Sequence, residues 1–160
     1  MASKERFDGY LNDHLGGAAL GIDLAEQICR LNEGTSLSTY LTTLIHEIQE
    51  DRDTLVAVME RLGVERSRVT EVGGWLIEKV SRLKFQSPGV DDQVNRLLEV
   101  DALLAGLSGK QALWQMLGRV SASEPRLTEF DFDALDTRVT NQIKNLTGHR
   151  LATFAVIFAN

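Results

Sequence analysis

The chain has 160 residues, of which 43% are hydrophobic and 25% charged, a composition typical of one globular domain and unlike a disordered or fibrous chain. Its 23 acidic residues outnumber its 17 basic ones, giving a net charge of -6, whereas proteins that neutralise nucleic-acid phosphates need a concentrated basic excess. We therefore expect a single domain spanning residues 1–160 and no nucleic-acid partner.

Cysteine content and hydropathy favour a cytoplasmic protein. Cys29 is the only cysteine, so the chain cannot form an internal disulfide. Residues 1–7 are polar and lack the apolar stretch of a secretory signal. The longest apolar run, residues 151–159, is much shorter than the roughly 20 residues of a membrane-spanning helix. We expect no membrane span.

Apolar residues recur at spacings of three and four, the pattern of amphipathic helices. They predict four long helices and a shorter one between the second and the third, at about residues 6–31, 37–62, 65–85, 97–120 and 131–157. Thr35 and Asp131 are suited to cap the second and fourth long helices, and Gly63 to end the second. Gly106 and Gly109 lie inside the third long helix, where each costs about 1 kcal/mol relative to alanine. We expect another backbone to approach closely there.

The lengths of the connections predict how these helices are arranged. A short link joins the first two long helices, a long segment with its own helix separates the second from the third, and a moderate loop precedes the fourth. The long segment can return the chain along the bundle, so that the second and third long helices run the same way. The expected fold is all-α, a ferritin-like up-down-down-up four-helix bundle with an extra short crossover helix.

Several short stretches carry a family resemblance. They are Tyr10-Leu-Asn-Asp-His-Leu15, Asn32-Glu-Gly-Thr35, Glu50-Asp51 followed by Met59-Glu-Arg-Leu-Gly63, Gly74-Trp-Leu-Ile-Glu-Lys79 and Gly109-Lys-Gln-Ala-Leu-Trp114. With these stretches the chain resembles the ferritin-like four-helix-bundle superfamily, and most of all an uncharacterised bacterial group within it. The resemblance covers nearly the whole chain and implies the fold, but no catalytic role for these residues.

Ferritin-like oxidases hold two metal ions with glutamates from two helices and a Glu-x-x-His pair from each of the other two. This sequence departs from that pattern, because the residues three positions before its three histidines are Leu11, Thr43 and Leu146. A standard di-iron centre is therefore not expected.

A divergent site for iron or another divalent metal is the alternative. Carboxylates and imidazoles from all four long helices fall near one level of the proposed bundle, namely Glu26, His46, Glu50, Glu99 and His149. His46 and Glu50 are four residues apart and so share a helix face. The favoured interpretation is that these residues lie at the surface or the bundle boundary and form ion pairs with Arg30, Arg52, Arg96 or Arg150.

Asp51 and Arg52 interrupt the apolar face of the second helix, so at least one of them should be partly buried. A buried charge needs a partner, and Asp101 or Arg150 is the expected one, in a contact that fixes the helix register.

Two apolar surfaces indicate possible contacts. The crossover helix combines Trp75 and Leu76 with basic residues; covering the open side of the bundle is the favoured role, and a membrane surface or a partner is the alternative. Residues 154–158 are apolar on all sides of a helix, which predicts a homodimer contact.

The sequence thus favours a non-catalytic binding or protein-interaction module, with a ferritin-like di-metal oxidase or metal store as the alternative.

Overall fold

A computed structural model of the chain describes residues 2–67 and 92–155, which fold as an all-helical bundle. Helix α1 spans Ala2–Leu31, α2 spans Ser36–Leu62, α3 spans Asp92–Ser121 and α4 spans Phe132–Phe154, with a 3-10 turn at Pro125–Leu127. These two ranges contain no strand, so the prediction of an all-α fold is confirmed. Most of the predicted crossover helix and residues 156–160 lie outside the described residues.

The helix ends follow the signals expected from the sequence. Thr35 Oγ1 accepts a hydrogen bond from the Ser38 backbone N–H at 3.2 Å, and Asp131 Oδ1 accepts one from the Ala134 N–H at 2.9 Å. Gly63 ends α2 in the left-handed region, with φ at 69°, which glycine adopts without steric cost. These local contacts fix where α2 and α4 begin and where α2 stops.

Helix α1 packs mainly against α2 and α3. Near its end, Cys29 Sγ lies 3.4 Å from Ser38 Oγ at the start of α2. Two residues earlier, Gln27 donates a 2.6 Å hydrogen bond to Glu99, near the start of α3. Because the end of α1 meets the start of both neighbours, α1 runs antiparallel to α2 and to α3.

Helix α4 packs against α2 and α3 on the other side of the bundle. Arg150, near the end of α4, donates to Asp101 near the start of α3, at 3.2 Å between Nη2 and Oδ2. Arg61, at the end of α2, pairs at 2.8 Å with Glu129, just before α4 begins. The two contacts make α4 antiparallel to both of its neighbours.

The core between the four helices is mainly aliphatic. Among the described residues, the largest buried side chain is Trp114 of α3, which packs against Phe132 of α4 with 6.2 Å between the ring centroids. In the two described ranges, no helix is both long and apolar enough to cross a membrane.

Candidate functional site

A cavity of about 310 Å³ lies between α1 and α3, and Ile48 of α2 also lines it. Small residues from both helices make up much of its wall: Gly17, Ala18 and Gly21 from α1, and Ala102, Ala105, Gly106 and Gly109 from α3. Facing rows of small residues normally let two helices pack closely. Here they border open space instead.

The cavity is open at the positions of its four glycines. A Cβ atom built on Gly17, Gly21, Gly106 or Gly109 would meet no atom of the described residues within 4 Å. The expectation that another backbone approaches Gly106 and Gly109 closely is therefore wrong. The expectation was based on the cost of glycine inside a helix, about 1 kcal/mol for each residue. In the structure these glycines border the open cavity, not another backbone.

The polar residues of the lining are gathered at one end of the cavity. Tyr10, Asp13 and His14 come from the first part of α1, and Lys110 comes from the later part of the α3 lining. Because the two helices are antiparallel, these positions lie near the same level of the bundle. The opposite end has aliphatic walls, including Leu24 of α1.

The imidazole of His14 packs edge-on against the ring of Tyr10, with 4.5 Å between the centroids. Burial lowers the pKa of His14, and the nearby carboxylate of Asp13 opposes this effect without reversing it. Since the pKa of His14 lies below the ordinary value of 6.5, the imidazole is neutral at pH 7. A neutral imidazole offers one N–H donor and one nitrogen acceptor.

Lys110 extends from the cavity wall into the bundle interior, where its side chain is only 13% exposed. Its ammonium donates hydrogen bonds to Asp51 of α2 and, at 2.7 Å, to the side-chain carbonyl of Gln142 of α4. Burial lowers the pKa of Lys110, whereas the negative charge of Asp51 favours the protonated amine. The amine is thus fixed in position by two other helices.

Asp51 is 2% exposed, which confirms that a charge in the middle of α2 is buried. Its second oxygen accepts a hydrogen bond from Arg138 Nη1 at 3.1 Å. The expectation that Asp101 or Arg150 would be its partner is wrong, because those two residues pair with each other near the start of α3. Asp51 lies farther along the bundle, at the level of Lys110.

Lys110 is not among the residues predicted from the sequence, although a signal is present. Lys110 follows Leu107 by three residues and precedes Trp114 by four, so it shares the apolar face of α3. A lone basic residue on such a face is a candidate partner for a buried carboxylate on another helix.

The structure brings together only part of the proposed metal-binding set. His46 Nδ1 lies 3.3 Å from Glu50 Oε1, and both side chains are exposed. Glu50 also pairs with an arginine at 3.0 Å, but the arginine is Arg138, which was not among the expected partners.

The other three candidates lie elsewhere. Glu99 is buried and accepts a hydrogen bond from Gln27, His149 stacks on Tyr40 at 4.8 Å between ring centroids, and Glu26 is half-buried on α1. Within the described part of the chain, no three His, Cys, Asp or Glu residues are placed to share a metal ion. Metal binding through these residues stays a prediction, as does the homodimer.

Comparisons with known proteins do not assign the cavity. No family model, curated protein or solved structure matches this chain. The interpretation of the site therefore rests on its own geometry and chemistry.

Proposed function

We propose that this chain is a non-catalytic binding module and that the cavity between α1 and α3 holds a small, mainly apolar molecule. A cavity of about 310 Å³ falls in the range of small-molecule pockets, which are mostly apolar with a few polar groups that orient the ligand. The aliphatic and glycine-lined wall, with polar groups at one end, has this composition.

The observation that carries the proposal is the cavity of about 310 Å³ itself, whose wall includes four helical glycines with open space at the position of each missing Cβ. Glycines inside helices reduce stability, together by about 4 kcal/mol relative to alanine. Alanine would fit at each position without a clash against the described residues, so folding alone does not require glycine there. Glycine at these positions leaves space for a ligand, and a larger side chain would fill that space.

We also propose that the bundle has the ferritin-like up-down-down-up connectivity. Two observations support this assignment: α1 is antiparallel to α2 and α3, and α4 is antiparallel to α2 and α3. The second and third long helices then run the same way, as in ferritin-like bundles.

The binding proposal is tested with a neutral apolar fluorescent dye, N-phenyl-1-naphthylamine, added to the full chain and to two variants. Gly17→Leu places a side chain in the cavity. Gly148→Leu is the matched control, because Gly148 is an exposed helical glycine of α4 that also has no described atom within 4 Å of a built Cβ.

We expect the wild-type chain and Gly148→Leu to bind the dye with the same affinity, and Gly17→Leu to bind it at least about tenfold more weakly, a loss of roughly 1.4 kcal/mol. Circular dichroism confirms that all three proteins are folded. The proposal is overturned if the wild-type chain does not bind the dye, or if Gly17→Leu binds as well as the control.

A further inference from the structure

A hydrogen bond between α1 and α3 marks one end of the cavity and bears on the size of the molecule that fits it; the inference rests on the proposed binding function. The lining ends at Leu24 on α1 and begins at Ala102 on α3. Gln27, one turn beyond Leu24, donates a hydrogen bond of 2.6 Å from Nε2 to Glu99 Oε1. Glu99 comes three residues before Ala102, so this bond, here called the interhelical bridge, joins the two helices where the lining ends.

The apolar faces of α1 and α3 continue beyond the interhelical bridge. Leu31 follows Leu24 by seven residues and Leu98 precedes Ala102 by four. Residues at these spacings share a helix face, so each leucine lies on the same face as the cavity wall. The side chains of Leu31 and Leu98 are 46% and 44% exposed. The interhelical bridge therefore lies between the cavity and two further apolar side chains.

The volume of the cavity limits the chain that fits. At roughly 30 Å³ for a group of the size of a water molecule, about 310 Å³ holds on the order of ten such groups. The lining on α1 extends from Tyr10 to Leu24, about 21 Å at 1.5 Å per residue. Groups spread along such a length form a single row, so an unbranched chain fits better than a compact ring system.

The charged side chains of the lining offer no free buried countercharge. Among the described residues these side chains are Asp13 and Lys110. The Lys110 ammonium is already bound to the buried carboxylate of Asp51 and to Gln142. Asp13 is exposed, and water screens its charge. A charged head group that entered the cavity would lose water without gaining a buried partner, which costs much more free energy than the burial of a hydroxyl group.

We infer that the cavity takes an uncharged, unbranched alkyl compound of the long-chain alcohol class, and that the interhelical bridge limits its length to about ten carbon atoms. Contact between the alkyl chain and the apolar wall supplies the affinity. Each further CH₂ group that becomes buried tightens binding about fourfold, equivalent to about 0.8 kcal/mol. Carbon atoms beyond this limit stay in water and add no affinity.

A series of primary alcohols from 1-hexanol to 1-tetradecanol tests the limit of length. Each alcohol is titrated below its solubility limit against the full chain loaded with N-phenyl-1-naphthylamine, and displacement of the dye gives its affinity. We expect the affinity to rise about fourfold per CH₂ group up to about ten carbon atoms and then to stay constant. A rise that continues through 1-tetradecanol, or an affinity that does not depend on length, would overturn the inference.

The variant Gln27→Ala assigns the limit to the interhelical bridge. Without the bridge the cavity opens toward Leu31 and Leu98, so 1-tetradecanol should bind at least about tenfold more tightly than it binds to the wild-type chain. Gln111→Ala is the matched control, because Gln111 makes a similar bond of 3.0 Å to Asp136 of α4 and does not line the cavity. This control should leave the series unchanged; identical behaviour of the two variants would contradict the role of the bridge.

If Gln27→Ala does not fold, Gly21→Leu tests the same dependence in the opposite direction. Gly21 lies about one turn before Leu24, and a Cβ atom built on it meets no described atom within 4 Å. The added side chain shortens the cavity at this end, so the affinity should stop rising at a shorter alcohol than in the wild-type chain. An unchanged limit would overturn the inference.

Three ligands with the same alkyl chain test the preference for an uncharged head: 1-decanol, decanoate and decylammonium. We expect 1-decanol to bind at least about tenfold more tightly than either charged ligand, because a charged head finds no free buried partner. Equal or tighter binding of a charged ligand would show that the class is wrong.

These outcomes differ from a failure of the binding proposal. If neither the dye nor any alcohol binds to the wild-type chain, both proposals are overturned. If they bind without the limit of length or without the preference for an uncharged head, this inference is wrong and the apolar binding site remains.

Discussion

Lys110 of α3 and Asp51 of α2 form an ion pair inside the bundle, where their side chains are 13% and 2% exposed. Gln142 of α4 accepts a second hydrogen bond from the same ammonium, so three helices meet at one amine. A buried charge without its partner is strongly destabilising, whereas a satisfied pair adds little net stability. The pair therefore fixes the rotation and level of α2, α3 and α4 and places Lys110 at the polar end of the cavity.

Removing one member of this pair should reveal its role. Asp51→Ala leaves Lys110 and Arg138 without their shared carboxylate, and we expect the free energy of unfolding to fall by about 3–5 kcal/mol in urea denaturation. The double variant Asp51→Leu, Lys110→Met should lose less than Asp51→Ala alone. Equal losses in the two proteins would contradict the interpretation of an obligatory pair.

A second ion pair provides the control. Asp101 and Arg150 are 40% and 30% exposed in their side chains, so water screens their attraction. Asp101→Ala should therefore cost no more than about 1 kcal/mol.

Alanine in place of the cavity glycines should stabilise the fold. Gly21→Ala and Gly106→Ala each add a methyl group that meets no described atom within 4 Å, and each should raise the free energy of unfolding by about 0.5–1 kcal/mol. Gly63→Ala provides the opposite case, because φ at this position is 69° and alanine is strained there by about 1–2 kcal/mol. Thermal unfolding measures the stability of all three variants. A loss of stability in Gly21→Ala and Gly106→Ala would show that the cavity beside these glycines is filled.

The buried His14 should make stability depend on pH. Its pKa in the folded state is lowered by burial, so below about pH 6.5 the unfolded chain binds a proton that the folded chain binds less readily. Stability is therefore lost as pH falls through 6.5 toward the folded-state pKa. His14→Gln should reduce this loss. Urea denaturation at pH values on both sides of 6.5 gives the difference; equal pH dependence in wild type and His14→Gln would contradict it.

Metal content separates the binding module from the ferritin-like alternative. The protein is expressed in medium supplemented with iron and zinc, purified without chelator, and analysed for metal per chain. We expect a substoichiometric amount that does not change in the double variant Glu50→Ala, His149→Ala, because the two side chains contact different partners. A stoichiometric metal that the double variant loses would support the di-metal carboxylate protein.

The sequence was sufficient for the features that depend on near neighbours in the chain. Thr35, Gly63 and Asp131 act at the helix ends where their side chains or backbone freedom predict that they should. The burial of Asp51 also followed from local periodicity, since the residue interrupts an apolar face.

Features that depend on contacts between helices were not available from the sequence. The partner of Asp51 is set by the relative level of α2 and α3, and the helical pattern of each one does not specify that level. The glycines gave a similar ambiguity, because the same small residues allow either close packing or an open cavity. Only the distance between α1 and α3 distinguishes close packing from an open cavity. In the structure, open space lies beside Gly106 and Gly109.

A crystal structure of the protein under xenon pressure tests the central claim most directly, because xenon enters apolar cavities that are empty of protein and water. We expect xenon between α1 and α3, in contact with the wall formed by Gly17, Gly21 and Gly106, and no xenon at that place in Gly17→Leu. Protein side chains filling this space in the wild-type crystal, with no xenon bound, would contradict the account.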